Sequence, residues 1–241
     1  MSRPLIIEVL LAGHAPDSIR HAHGDFDAWF AASNSGHIRF QSTDLSAGEA
    51  LPDQEASDGW IISGAAAAVY DDITWLVEVE TGIAAAAVSG HPILGVCFGH
   101  QLLAQALGGR VTRNPAGWEL GEVRAELTDE GQADPLMNGM PATFRAYASH
   151  QDAVVSLPPE AVLLAENSAG VQAIKVGEKS YGVQFHPEFS LDVARAYTRY
   201  RRDQVRQEIA WPEDGGNGSS RTLRNFISQI VEGAKDDTTV V

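Results

Sequence analysis

Pro92-Ile93-Leu94-Gly95-Val96-Cys97-Phe98-Gly99-His100-Gln101 is the stretch that decides how this chain is read. Ile93, Leu94 and Val96 make a short, bounded apolar run, the pattern of a strand buried on both faces of a parallel sheet. Gln101 to Leu107, closed by Gly108-Gly109, reads as a helix with a glycine stop. Cys97, the single cysteine of the chain, therefore falls in the tight turn between strand and helix. Gly95 and Gly99, two residues to either side, let the two elements crowd together and leave the turn residue presented on a strained backbone. Its sulfur faces the N-terminus of the following helix, which favours thiolate. Two readings of Cys97 stand at this point: a nucleophile, or a buried packing residue of a type that is often buried.

A nucleophilic thiol needs a base, and the base needs an orienting group. Tyr181-Gly182-Val183-Gln184-Phe185-His186-Pro187-Glu188 offers both. Val183 and Phe185 alternate with polar partners, so a strand delivers His186 at its end, and Pro187 keeps His186 extended. In an extended segment His186 and Glu188 point to the same side, where Glu188 can fix the imidazole tautomer. Taken alone the segment also reads as a surface turn; paired with the Cys97 turn, the catalytic reading takes precedence.

These two segments resemble the nucleophile and the His-Glu pair of class I (triad-type) glutamine amidotransferases. Gly59-Trp60-Ile61-Ile62-Ser63-Gly64 resembles that family's strand and oxyanion loop, and Ser149-His150-Gln151-Asp152 resembles its Ser-His-x-Asp segment near the glutamine pocket. The likeness runs from about residue 5 to 200. Gly117-Trp118-Glu119-Leu120-Gly121 and Gly24-Asp25-Phe26-Asp27-Ala28-Trp29-Phe30 are similar to stand-alone members akin to gamma-glutamyl peptide hydrolases. The resemblance implies an α/β fold with a mostly parallel central sheet flanked by helices, flavodoxin-like, with a small antiparallel region appended. It implies a Cys97-His186-Glu188 triad, an oxyanion hole from the backbone N–H groups of Gly64 and Phe98, and substrate contacts at Gln101, Ser149, His150 and Gln151. Gln101 reads equally well from its position as an exposed helix glutamine. One departure stands out: Gly64 is followed by Ala65-Ala66-Ala67-Ala68, where the family often has a second glycine and a proline.

The chemistry so implied is hydrolysis of a gamma-glutamyl amide, glutamine being the reference substrate, through a gamma-glutamyl thioester on Cys97. His186 is preferred over His150 as the base because a carboxylate accompanies it. No cofactor or metal is implied. His14, His21 and His23 cluster early, but no cysteine or paired-carboxylate pattern completes a metal site. His14 follows the first strand and borders the rim of the site, while His100 reads as a helix-packing residue. The rivals are a gamma-glutamyl peptidase acting on glutathione-like or gamma-glutamyl amine substrates, a glutaminase gated by a synthetase partner in trans, and a non-enzymatic regulator or binding protein. The His-Pro-Glu segment so near the end disfavours a DJ-1-like protein with a reactive cysteine.

Composition narrows the partners. At 241 residues with 44% hydrophobic and 20% charged residues, the chain is expected to form one soluble domain over 1–234 with a frayed tail at 235–241. If that domain fills the chain, no room remains for an ammonia-consuming domain. A net charge of −15 argues against nucleic acid and anionic membranes as partners. A single cysteine and the absence of a signal or spanning segment fit a cytoplasmic protein.

The first half alternates between strand and helix: strands at Leu5 to Leu11, Ile38 to Ser42 and Trp60 to Ile62, helices at Asp25 to Ala32 and Asp72 to Ala87. Such alternation predicts a parallel sheet whose carboxyl edge gathers Gly64, Cys97 and His186. From Val111 to Phe185 the pattern changes to short strands at Val123 to Leu127, Thr143 to Ala148, Ala153 to Leu157, Val162 to Ala165 and Val171 to Val176. Ser190 caps a helix expected over Leu191 to Ile209, with Arg195, Arg199, Arg202 and Arg206 on a solvated face or a docking face. Pro212 to Ser219 reads as a loop and Arg221 to Ala234 as a last helix.

Overall fold

The computed structural model describes residues 3–32, 38–206, 208–213 and 218–233. The tail expected at 235–241 lies outside them, as do Ala234 and the middle of the 212–219 loop. In chain order the elements are β1 (Leu5–Leu11), α1 (Asp17–His23), α2 (Phe26–Ala32), β2 (Ile38–Asp44), β3 (Gly59–Ile62), α3 (Thr74–Val88), β4 (Ile93–Val96) and α4 (Phe98–Ala106). Then come β5 (Arg110–Arg113), β6 (Glu119–Leu127), α5 (Asp129–Ala133), β7 (Thr143–His150), β8 (Asp152–Ser156), β9 (Val162–Asn167), β10 (Gly170–Val176) and β11 (Ser180–Val183). α6 (Leu191–Arg201) and α7 (Ser220–Asn225) close the fold, the latter widening into a π turn over Phe226–Val231.

One nine-stranded sheet, ordered β2-β1-β3-β4-β11-β10-β9-β6-β7, organises the molecule, and β5 pairs with β8 in a separate ribbon. The pairings from β2 to β11 are parallel and those from β11 to β7 antiparallel. The antiparallel strands thus extend the parallel sheet rather than forming a lobe beside it.

Alternation along the parallel strands builds two cores. Val9, Leu11, Ile61, Leu94, Val96 and Val183 face one layer, shared with α2, α6 and α7. Leu10, Trp60, Ile62 and Ile93 face the other, shared with α3 and α4. A Leu or Ile so buried contributes about 1.5–3 kcal/mol. The expected carboxyl edge is there: Gly64, Cys97 and His186 follow three neighbouring strands, β3, β4 and β11.

Two expectations need correction. The helix expected over Leu191 to Ile209 stops at Arg201, followed by a 3-10 turn over Arg202–Gln204 and extended backbone at Val205. The chain leaves the helix to lay Ala210 against β6, where Glu122 N donates to Ala210 O at 2.8 Å. Gly121, at φ +90°, makes room for that contact, since a Cβ there would collide with Ala210 O. The helix α1 has no counterpart in the sequence reading; its seven residues bury only Ile19, too little apolar periodicity to announce it.

The glycines around Cys97 hold the elbow together. A Cβ on Gly95 would strike the Gly99 carbonyl, and one on Gly99 would strike Ile62 O. Gly99→Ala is expected to lower stability by about 1–3 kcal/mol, read as a fall in the urea midpoint. Gly233, helical and with nothing within 4 Å of an added Cβ, is the control, and Gly233→Ala should leave the midpoint in place or raise it slightly through helix propensity.

Candidate active site

Cys97 has φ 54° and ψ −104°, a left-handed conformation that non-glycine residues adopt at a cost. It persists because both sides are pinned. Cys97 N donates to Val183 O at 2.9 Å, and Gln101 N donates to Cys97 O at 3.1 Å in the first turn of α4. The thiol is 5% exposed at the base of a cleft, so it is buried yet reachable.

His186 arrives from the end of β11, its N–H donating to Tyr147 O at 2.8 Å. Its Nδ1 lies 2.7 Å from Glu188 Oε1, and the ring also hydrogen-bonds the Cys97 side chain. With Nδ1 engaged by Glu188, Nε2 is the nitrogen that faces sulfur. Phe189 stacks on the imidazole at 4.0 Å with 9° between the planes, and Phe26 and Tyr197 stack farther out, at 6.3 and 6.4 Å. Burial works against the imidazolium, but the charges of Glu188 and Cys97 and the hydrogen bonds to both outweigh it, raising the His186 pKa to about 10. At neutral pH His186 therefore holds a proton beside the sulfur.

Ser63 fixes the neighbouring loop. Its Oγ accepts from Ala12 N and donates to Gly64 O, both at 3.0 Å, while its carbonyl accepts from Gly99 N at 3.2 Å. The N–H groups of Gly64 and Phe98 have no hydrogen-bond partner among the described residues. Gly64 has no room for a side chain: a Cβ would sit 3.1 Å from His186 Cε1 and 3.2 Å from Phe26 Cζ.

The cleft has two lobes that meet at Cys97. The first is lined by His14, Phe26, Gly64, His186 and Tyr197, and the second by Phe98, Gln101, Trp118, His150, Gln151 and Asp152. Ala65, Ala66, Ser149 and Arg201 line both. Ser149 Oγ is buried there without a partner among the described residues. Gln101 is not an exposed helix residue: it is 3% exposed, and its Nε2 donates to Asp152 O at 2.9 Å and Gln184 Oε1 at 3.1 Å. Those bonds tie α4 to the segment 149–152 that forms the lobe's far wall.

His150 is held away from the thiol in its own buried pair, Nε2 lying 3.0 Å from Glu119 Oε2 and Nδ1 3.0 Å from Asp152 O. Burial acts the other way, yet hydrogen bonds from His150, Asn167 and Gln172 keep the Glu119 pKa below its ordinary value. His100 is fully buried on α4 against Gly182 of β11, and burial pushes its pKa down to about 3, as suits a packing residue. His14 joins Asp25 at 2.8 Å and Asp44 at 2.9 Å on the rim of the first lobe. Among the described residues no group of three or more His, Cys, Asp or Glu is placed to hold a metal, and no helix is long and apolar enough to cross a membrane.

These histidines give stability a signed pH dependence. The folded value of His186, about 10, lies above its ordinary 6.5, so its contribution is full below pH 6.5 and lost as pH rises towards 10. His91, whose ring meets that of Trp60 at 4.9 Å between centroids, is pushed down by burial to about 4; it and His100 at about 3 lie below 6.5, so their contribution is full above pH 6.5 and lost as pH falls through those values. The urea midpoint is expected to peak near pH 6.5 and decline on both sides; a midpoint rising steadily to pH 9 contradicts the assignment.

Arg201 is the site residue that the sequence motifs do not single out, although Val193, Tyr197 and Arg201 recur at i, i+4 on α6, and Val193 and Tyr197 are buried. Trp118 and the alanines 65–67 lie in segments that the sequence does single out, Gly117 to Gly121 and the stretch after Gly64, but as parts of a resemblance and a departure rather than as lining of the cleft.

The family model for "Glutamine amidotransferase class-I" matches residues 33–201. The chain is 35% identical over 193 residues to a glutamine-hydrolysing GMP synthase of Aeropyrum pernix, covering 79% of this chain and 33% of that protein. It is 40% identical over 144 residues to one subunit of the glutamine-hydrolysing GMP synthase of Methanococcus maripaludis C5, covering 59% of this chain and 69% of that one. It is 33% identical over 144 residues to gamma-glutamyl peptidase 4 of Arabidopsis thaliana, covering 58% and 57% respectively. The chain thus spans a third of the Aeropyrum protein and somewhat over half of the Arabidopsis one. In fold it matches a glutamine amidotransferase of Thermotoga maritima, at TM-score 0.77 and 20% identity over 96% of this chain and all of that one. A second, from Methylobacillus flagellatus, matches at 0.74 and 21% over 95% and 96%.

Proposed function

Because the chain belongs to the class-I glutamine amidotransferase family, we propose that it hydrolyses a gamma-glutamyl amide through a thioester on Cys97, glutamine being the reference substrate. The observation that carries this is the buried relay in which His186 hydrogen-bonds the Cys97 side chain on one side and Glu188, at 2.7 Å, on the other. The thiolate attacks the amide carbonyl, and the oxygen takes the negative charge between the N–H groups of Gly64 and Phe98, each worth roughly 2.7–4 kcal/mol. His186, already protonated, gives its proton to the departing ammonia or amine as the C–N bond breaks. The neutral imidazole then takes a proton from water as that water attacks the thioester, which releases glutamate and restores the thiolate. Glu188 steadies the imidazolium throughout. Gln101, Ser149, His150 and Gln151 shape the lobe for the glutamyl head, Ser149 with a free hydroxyl and the others largely through the wall they build.

The test is glutamate release by the purified chain from glutamine and from a gamma-glutamyl dipeptide. Release from either supports the reading, and the preferred substrate separates a glutaminase from a peptidase of the kind the Arabidopsis relative is named for. A second reading, a glutaminase that opens when a synthetase docks in trans, is favoured by the tightness of the cleft. Its lobes measure about 20 and 30 Å³, room for little more than one water each. The Methanococcus relative, named for its place in a multi-chain synthase, fits that reading. Negligible release together with alkylation of Cys97 by a glutamine chloroketone would select it.

A further inference from the structure

Arg201 ends α6 on the boundary between the two lobes and lines both. Its guanidinium carbon lies 5.5 Å from the Trp118 ring centroid and 5.6 Å from that of Tyr200, so aromatic faces hold the fork in position. Nη1 donates to Gln204 Oε1 at 3.2 Å, while Nε is buried without a partner among the described residues. Elsewhere Arg3, Arg20 and Arg145 each find a carboxylate, in Asp58, Asp17 and Glu122. Arg201 has none within ion-pair distance among the described residues, in a chain of 32 acidic side chains. A buried guanidinium N–H without an acceptor is destabilising, and a carboxylate entering the cleft would relieve it with the strongest geometry available to arginine.

We propose that Arg201 is the receptor for a carboxylate of the substrate. The assignment rests on the gamma-glutamyl hydrolase reading and deepens it. Two carboxylates share the required chemistry: the α-carboxylate of the glutamyl head, and the carboxylate of an amino acid leaving from a gamma-glutamyl peptide. Asp152, whose Oδ1 accepts from Tyr70 at 2.7 Å, gives the second lobe an opposite charge that suits the head's ammonium group.

The experiment compares wild type, Arg201→Met and Arg201→Lys on glutamine, on gamma-glutamylglycine and on 4-aminobutanamide, which has no carboxylate. It also follows alkylation of Cys97 by glutamine chloroketone and by iodoacetamide. Arg201→Met is expected to raise KM for glutamine about ten- to a hundredfold, as for loss of one charged hydrogen-bonded partner, with the loss falling on KM rather than kcat. Chloroketone labelling should slow in parallel, labelling by iodoacetamide and turnover of 4-aminobutanamide should not, and lysine should restore part of the loss. A penalty confined to gamma-glutamylglycine assigns Arg201 to the leaving group's carboxylate. Equal penalties on 4-aminobutanamide or iodoacetamide overturn the assignment while leaving the hydrolase reading in place. A wild type inert to every substrate and to the chloroketone removes both.

Discussion

Replacing Cys97 by serine is expected to reduce glutamate release by roughly 10⁴-fold or more while leaving the fold in place. The exchange swaps sulfur for oxygen at a position whose backbone is fixed by Val183 O and Gln101 N, so the elbow keeps its shape. The chemistry does not survive, and the reason lies in His186. Part of what raises its pKa to about 10 is the charge of Cys97 itself, which a serine does not carry, so the exchange dissolves the ion pair on which the proposed attack depends. A thiol can give its proton to the imidazole beside it; a serine hydroxyl, far less acidic and a weaker nucleophile, does not do so in a site shaped for sulfur. Glutamate release and the urea midpoint, measured side by side, separate this from unfolding. Retention of more than about 1% of wild-type turnover in Cys97→Ser would mean that sulfur is not the nucleophile.

His186→Ala is expected to combine two losses. Turnover should fall by about 10³–10⁴-fold, since neither the leaving amine nor the attacking water then has a proton partner. Stability should fall by about 3–5 kcal/mol, because the Glu188 side chain, fully buried, is left without its imidazolium. The double loss distinguishes a buried catalytic pair from an exposed one, where removal of the histidine would cost little. Glu188→Gln should be milder on both counts, since an amide still packs in the site and the imidazole remains to face sulfur. A His186→Ala variant as stable as wild type would show that the pair is not closed from water as described.

What is legible in the sequence is local. The elbow glycines, the apolar run before Cys97 and the His-Pro-Glu segment each act within a few residues, and the structure places them at adjoining strand ends. The extent of the antiparallel part is not legible, because β10, β9, β6 and β7 read as ordinary short strands wherever they pair. Sheet order is fixed by long-range packing that alternation does not encode. Gln101 can be read as buried or exposed from its place on the helix; the decision lies with Asp152 and Gln184, 51 and 83 residues away. Arg201 is masked in the sequence by arginines 195, 199, 202 and 206, which form the more conspicuous helical series. The end of α6 is invisible there too, because what ends it is a contact with Gly121, far upstream.

The adjacency of β4 and β11 has a consequence for how the protein comes into being. The two strands pair directly, Val96 opposite Val183, though 87 positions apart in sequence, and between them the chain builds β5 to β10. During synthesis the cysteine emerges long before the histidine that would hold its proton. An unfinished or partly unfolded chain therefore lacks the contact between His186 and Cys97, and the site proposed for catalysis forms only once β11 has docked. Acquisition of alkylation sensitivity at Cys97 during refolding would thus time the closure of the whole sheet, a long-range and correspondingly slow event.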